Sequence, residues 1–218
     1  MTAQSFHGFV RLMALLAVTT ALAACNATTA TKPGGPVKAK TKIEVQESVG
    51  FTIVEDSRIG SGARGDYDAA LAYLHEGQHE QGIAILETLV ASAPILTAPR
   101  IDLGIAHREN GNLEAARAHL ETAVESSPGH PIAHNELGIV YRQLGLFQEA
   151  RQSYEAALSI FPNYHYARRN LAVLCDLYLA DLTCALENYE AYMATVPDDP
   201  EATMWIADIK YRMSSAGE

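Results

Sequence analysis

The sequence predicts an all-α solenoid, four helix-turn-helix repeats followed by a single capping helix. Three observations carry that prediction. Between Pro131 and Tyr164, Leu137, Gly138, Tyr141, Ala150, Tyr154 and Ala157 recur at three- and four-residue steps in two runs, with Leu144-Gly145-Leu146 between them. Such spacing lays one stripe of apolar and small side chains along each of two helices joined by a tight turn. Stepping back 34 residues finds Leu103-Gly104, His107, Gly111, Ala116, Leu120, Ala123 and Pro128, and a second step finds Ala69-Ala70, Tyr73, Gly77, Gly82, Leu86, Leu89 and Pro94. The closing prolines Pro94, Pro128, Pro162 and Pro197 stand 34, 34 and 35 residues apart.

The order Leu-Gly, aromatic, Gly, Ala, aromatic, Ala, Pro resembles the tetratricopeptide repeat, a 34-residue unit. Every one of those places is filled in residues 131–164. The resemblance implies a superhelical solenoid with repeats at 63–96, 97–130, 131–164 and 165–199. The fourth repeat has Leu171-Ala172, Cys175, Ala185, Tyr189, Tyr192 and Pro197, but carries Leu179 where a turn glycine is expected. Its first helix is therefore expected to run on further. Residues 200–218 read as a capping helix and tail, with Ala202, Ile206, Ile209 and Met213 on one face and Trp205 in its packing. A terminal repeat needs such a cover because half its core is otherwise exposed.

Ahead of the repeats, residues 1–24 read as a signal peptide. Arg11 precedes the apolar run Leu12–Ala24, which is short of the roughly 20 residues that span a bilayer. The run ends in Leu22-Ala23-Ala24-Cys25, which resembles the bacterial lipobox. The resemblance implies a lipid anchor on Cys25, the alternative being a secreted protein with a cysteine near its cleavage site. Asn26 follows in place of the aspartate that retains many such proteins at the inner membrane, so in a Gram-negative cell the outer membrane facing the periplasm is implied. Residues 25–44, rich in Thr, Ala, Gly, Pro and Lys, read as a flexible tether. Residues 45–62 hold Val49, Phe51, Ile53 and Val54, too apolar for a linker. They are expected to pack on the repeats as a cap, to lie along the groove, or to meet a partner.

Net charge is −10, and residues 62–218 carry ten Lys/Arg against twenty-two Asp/Glu. That balance argues against nucleic acid, whose binding needs clustered cations to displace counterions. His75 with His79, and His130 with His134, have the four-residue spacing of helical metal ligands. Each pair straddles a predicted turn, however, and no carboxylate completes a set. No metal or cofactor is expected, and no phosphate loop, nucleophile elbow or zinc-protease helix is present. With Cys25 acylated, Cys175 and Cys184 remain as an even pair on antiparallel helices. They form either a disulfide, which persists in an oxidising compartment, or two buried thiols at a close crossing.

In the family it resembles, the first helix of each repeat lines a protein-binding groove. Carried onto this chain, the lining residues are Tyr67, Leu71 and Leu74; Ile101, Ile105 and Arg108; Asn135, Ile139 and Arg142; Arg169, Val173 and Asp176. Leu71, Ile105, Ile139 and Val173 make an apolar stripe, and contiguous apolar surface marks interaction sites. Arg108, Arg142, Arg168, Arg169, Asn135 and Asn170 stand beside it. They either grip acidic or C-terminal carboxylates of a partner or pair with Glu109, Glu136 and Asp176. The expected function is a membrane-anchored, non-enzymatic scaffold of the bacterial cell envelope that binds a protein or peptide and assists assembly of a pilus, secretion or transport complex. Alternatives are an adaptor of periplasmic cell-wall hydrolases or peptidases and, more remotely, a hydrolase.

Overall fold

The structure is a computed structural model that describes residues 41–46, 50–55 and 61–215. The proposed signal peptide, Cys25 and most of the tether lie outside the described residues. Two strands come first, β1 (Thr41–Gln46) and β2 (Gly50–Glu55), paired antiparallel. The register sets Ile43 opposite Ile53 and Val45 opposite Phe51, so these four positions share one face. This hairpin differs from the sequence reading, which ran the tether on to residue 44. The period-two alternation of Ile43 with Val45 and of Phe51 with Ile53 is the strand signal that a count of apolar residues overlooks.

Nine helices follow among the described residues: α1 (Ser61–His75), α2 (His79–Ser92), α3 (Thr97–Glu109), α4 (Leu113–Ser126), α5 (Pro131–Gln143), α6 (Phe147–Ile160), α7 (His165–Leu177), α8 (Leu182–Met193) and α9 (Pro200–Ser215). Each packs against the next in chain order, and α3, α5 and α7 also touch in series. This is the all-α repeat stack expected from the sequence.

Local chemistry sets where each helix stops. Gly77, Gly111 and Gly145 take φ values of 75°, 80° and 77°, a region that a Cβ makes costly. There the amides of Gln78, Asn112 and Leu146 each donate, at 2.8 Å, to the carbonyl five residues back. That bond closes the preceding helix and reverses the chain. Pro131 opens α5, and the Nδ1 of His130 accepts from the Ala133 amide at 3.3 Å, a cap on an otherwise unpaired donor.

Between the paired helices, glycine permits close approach. A Cβ on Gly138 of α5 would stand 2.6 Å from the Tyr154 ring of α6. Tyr154 is itself wholly buried among Ala150, Ala157 and Leu171. The core thus runs along the stack as clusters beneath α1–α3, α3–α5 and α5–α9.

The fourth repeat departs from expectation. Its first helix, α7, is 13 residues long, as are α3 and α5, so the helix is not extended. The additional residue enters the turn instead, where Ala180 adopts φ 52° and the Asp181 amide reaches back six residues to the Cys175 carbonyl at 2.9 Å. A disulfide joins Cys175 to Cys184 across this turn, with Cα atoms 5.9 Å apart. In the chain-entropy account, closing a loop of this size contributes about 3 kcal/mol.

Trp205 of α9 lies 5.3 Å, centroid to centroid, from Tyr189 of α8, and Ala202 and Ile209 are fully buried. Met213, expected on the same face, is exposed.

Candidate interaction groove on the first helices

The series α3, α5, α7 places residues at equal positions of successive repeats side by side, so the sequence period becomes columns on one face. Cross-repeat bonds trace these columns. The Tyr67 hydroxyl donates to Asp102, and Asn170 Nδ2 donates to Asn135 Oδ1 at 2.9 Å. Arg212 of α9 pairs with Asp176 of α7.

Leu71 is 38% exposed, while Ile105, Ile139 and Val173 are half-buried, each backed by the core beneath it. The column of Tyr67, Ile101, Asn135 and Arg169 is less accessible than expected. Ile101 and Asn135 are buried, at 3% and 2% exposure, because neighbouring first helices approach closely enough to cover them. Asn135, with Asn170, ties α5 to α7. Its Nδ2 also donates to Glu136 Oε1 at 3.0 Å.

Most of the cations beside the stripe have partners on the protein. Arg108 lies 3.4 Å from Glu109 and 3.6 Å from Glu136. Arg168 donates to the Pro162 carbonyl at 3.1 Å and to Asn188 Oδ1 of α8 at 2.9 Å, which commits it to its own repeat's second helix. Arg169 lies over the Trp205 ring at 5.2 Å and 3.7 Å from Glu201.

Arg142 is different. It sits 5.8 Å above the Tyr178 ring, reaches that hydroxyl at 3.5 Å, and neighbours the Tyr154 hydroxyl. No carboxylate among the described residues lies within ion-pair distance of it, and its Nε is buried without a hydrogen-bond partner. The surroundings also act on the nearby acids. Burial raises the Asp102 and Glu136 carboxyls above the ordinary range, offset in part by the Tyr67 hydroxyl at Asp102 and by Arg108 and Asn135 at Glu136.

Three exposed large hydrophobic residues are absent from the sequence expectation. Leu177 at 67%, Met204 at 64% and Tyr211 at 71% are exposed. One further step of 35 residues would have found two of them, since it aligns Met204 with Arg169 and Tyr211 with Asp176. Ending the repeat count at residue 199 concealed that register.

The pair His130 and His134 serves local structure. His130 caps α5, and the Nε2 of His134 lies 2.9 Å from the Pro128 carbonyl. Among the described residues the one three-donor group is Cys175, Asp181 and Cys184, and its sulfurs are bonded to each other. No helix among the described residues is long and apolar enough to cross a membrane.

The family model described as Tetratricopeptide repeat matches residues 101–165. No curated protein matches the chain. Among solved structures, the chain is similar to residues 41 to the end of MamA from Desulfovibrio magneticus RS-1, with 18% identity and a TM-score of 0.64 over 72% of this chain and 88% of that one. It is similar to TTC0263, a thermophilic TPR protein of Thermus thermophilus, at 26% identity and a TM-score of 0.58, covering 68% of this chain and 81% of the other. Pseudomonas aeruginosa pilF shares the fold at 20% identity and a TM-score of 0.63, over 71% of this chain and 72% of that one. With the 34-residue period, the turn glycines and the paired helices already in hand, these likenesses show a tetratricopeptide-repeat fold, with residues 101–165 matching the family's own repeat pattern.

Proposed function

We propose that this chain is a lipid-anchored scaffold of the bacterial cell envelope whose groove receives a peptide segment of an envelope-assembly protein. The observation that carries the reading is the half-exposed column Leu71, Ile105, Ile139 and Val173 beside Arg142. Apolar surface kept partly open along several repeats favours a partner that covers it. A partly buried guanidinium with no carboxylate beside it favours an anion. The ligand is an extended peptide with apolar side chains and one acidic or C-terminal carboxylate at the level of Arg142.

Leu22-Ala23-Ala24-Cys25 and the following Asn26 support attachment through Cys25 at an outer membrane, facing the periplasm. The setting is assembly of a pilus, secretion or transport complex, and the chain performs no chemistry of its own.

The test is a photo-crosslinking residue in place of Ile139 in the intact envelope. An adduct with an assembly-complex protein supports the reading, whereas an adduct with a cell-wall hydrolase or peptidase replaces it with an adaptor role. An adduct confined to residues 45–59 of the same chain removes the groove as a binding site. The double variant Ile105→Glu, Ile139→Glu is expected to stay folded and to lose partner recovery. Unchanged recovery from the folded double variant excludes the stripe.

A further inference from the structure

The fourth repeat reverses direction by different means from the other three. Where Gly77, Gly111 and Gly145 turn the chain in the left-handed region, this repeat has Leu179, and Ala180 takes the left-handed conformation. It is the one non-glycine residue among those described that does so. A Cβ in that region crowds the backbone, so this turn is intrinsically the least favourable of the four.

The contacts that hold it converge on one disulfide. Cys175 and Cys184 bracket the turn and are bonded to each other. The Asp181 amide donates to the Cys175 carbonyl at 2.9 Å, and Asp181 Oδ1 accepts from the Cys184 amide at 3.1 Å. Asp181 Oδ2 takes Arg151 of α6 at 3.2 Å. The two helices so joined are those that seat α9. Asp176 of α7 pairs with Arg212, Glu190 of α8 lies 2.8 Å from Lys210, and Tyr189 of α8 packs on Trp205.

We propose that the Cys175–Cys184 disulfide is a thiol-exchange site standing in for the missing turn glycine, so that its redox state decides how firmly the last repeat and α9 are seated. Cys184 is the more accessible half, 9% exposed against none for Cys175. A thiolate of an external dithiol attacks Cys184 Sγ, and the electron pair of the S–S bond leaves on Cys175 Sγ. The second thiol of the reductant then attacks its own sulfur in the mixed disulfide and releases Cys184. The protein disulfide is reduced to two thiols, the dithiol is oxidised to a disulfide, and its two protons end on the two cysteines. A carboxylate oxygen of Asp181 lies within 4.8 Å of both sulfurs.

The experiment is amide hydrogen exchange read by mass spectrometry on the full chain, oxidised and after dithiothreitol, for the natural sequence and for Ala180→Gly. It is independent of what the groove binds. Reduction is expected to speed exchange in α7, α8 and α9 by about tenfold or more while changing α3 to α6 by less than about twofold. Ala180→Gly is expected to cut the effect of reduction to about threefold or less. Equal exchange in α7 to α9 of the oxidised and reduced protein overturns the proposal. So does uniform acceleration along all helices, or an Ala180→Gly variant that responds to reduction as fully as the natural sequence does. Should the reduced natural chain unfold, Cys175→Ala, Cys184→Ala with Ala180→Gly supplies the same comparison: a folded triple variant supports the substitution of bridge for glycine, and an unfolded one refutes it.

Discussion

Single side chains in this molecule have effects set by their immediate neighbours. Gly138 is required by the Tyr154 ring, which leaves 2.6 Å for a Cβ. The ring is fully buried and has no free volume into which to retreat. Gly138→Ala is therefore expected to destabilise the fold by about 1–3 kcal/mol, measured by chemical denaturation, although alanine is the better helix former. His130 gives a second case. Burial, reinforced to a smaller extent by the charge of His134, pushes its pKa down to about 4 from an ordinary 6.5. A histidine with a depressed folded-state pKa contributes stability that is whole above its unfolded pKa and is lost as pH falls from about 6.5 to about 4. Asp102 and Glu136, raised by burial, act in the opposite sense, contributing most at low pH and less as pH rises through their folded values. Stability measured between pH 7 and pH 4 is expected to fall by roughly 3 kcal/mol from His130. His130→Asn, which keeps an N-cap acceptor, is expected to flatten that part of the slope. An unchanged slope assigns it to other groups.

At the level of elements, the turns distinguish the repeats more than the helices do. All four helical pairs make a bond to the fifth carbonyl back, and three of them close through a glycine. The fourth closes through Ala180, a longer turn and a covalent bridge. In the oxidised protein, Ala180→Gly relieves the left-handed Cβ but frees the unfolded chain, and the first effect prevails. The expected gain is about 1 kcal/mol, seen as a higher urea midpoint with the denaturant slope unchanged. Repeat period, helix pairs and turn glycines were all legible in the sequence, because each depends on spacing within about 35 residues. The hairpin was less legible. Its signal is only one alternating pair in each strand, and pairing Ile43 with Ile53 is a relation between strands that a list of apolar residues does not display. The expected continuation of α7 past its neighbours' length overlooked that an inserted residue is accommodated more readily in a turn than in a helix whose far end must still meet α8.

On the scale of the whole molecule, each repeat is stable only through its neighbours. The C-terminal end of the stack is closed by α9, whose Ala202 and Ile209 are buried and whose Trp205 covers Tyr189. A chain ending at Asp199 is expected to expose that surface, to lower the thermal midpoint and to bind a hydrophobic dye. Loss of protection is expected to be greatest in α7 and α8 by hydrogen exchange and smallest in α3 and α4. The candidate groove belongs to this scale as well. Residues spaced by the repeat become a surface only when α3, α5 and α7 lie together, and the same approach that aligns Ile105, Ile139 and Val173 buries Ile101 and Asn135.

By itself the sequence determined the architecture, since a repeated pattern of small, apolar and turn residues admits one kind of stack and its period can be read along the chain. It also determined the apolar column, because Leu71, Ile105, Ile139 and Val173, one repeat apart, are a regularity of the chain. Tertiary structure alone decided which charges remain unpaired. The arginines look alike in sequence, but Arg108, Arg168 and Arg169 meet Glu136, Asn188 and Glu201 from other helices, whereas Arg142 meets two tyrosines. Pairing depends on distances of a few ångströms between helices, and those distances are fixed by the packing of small residues at the crossings.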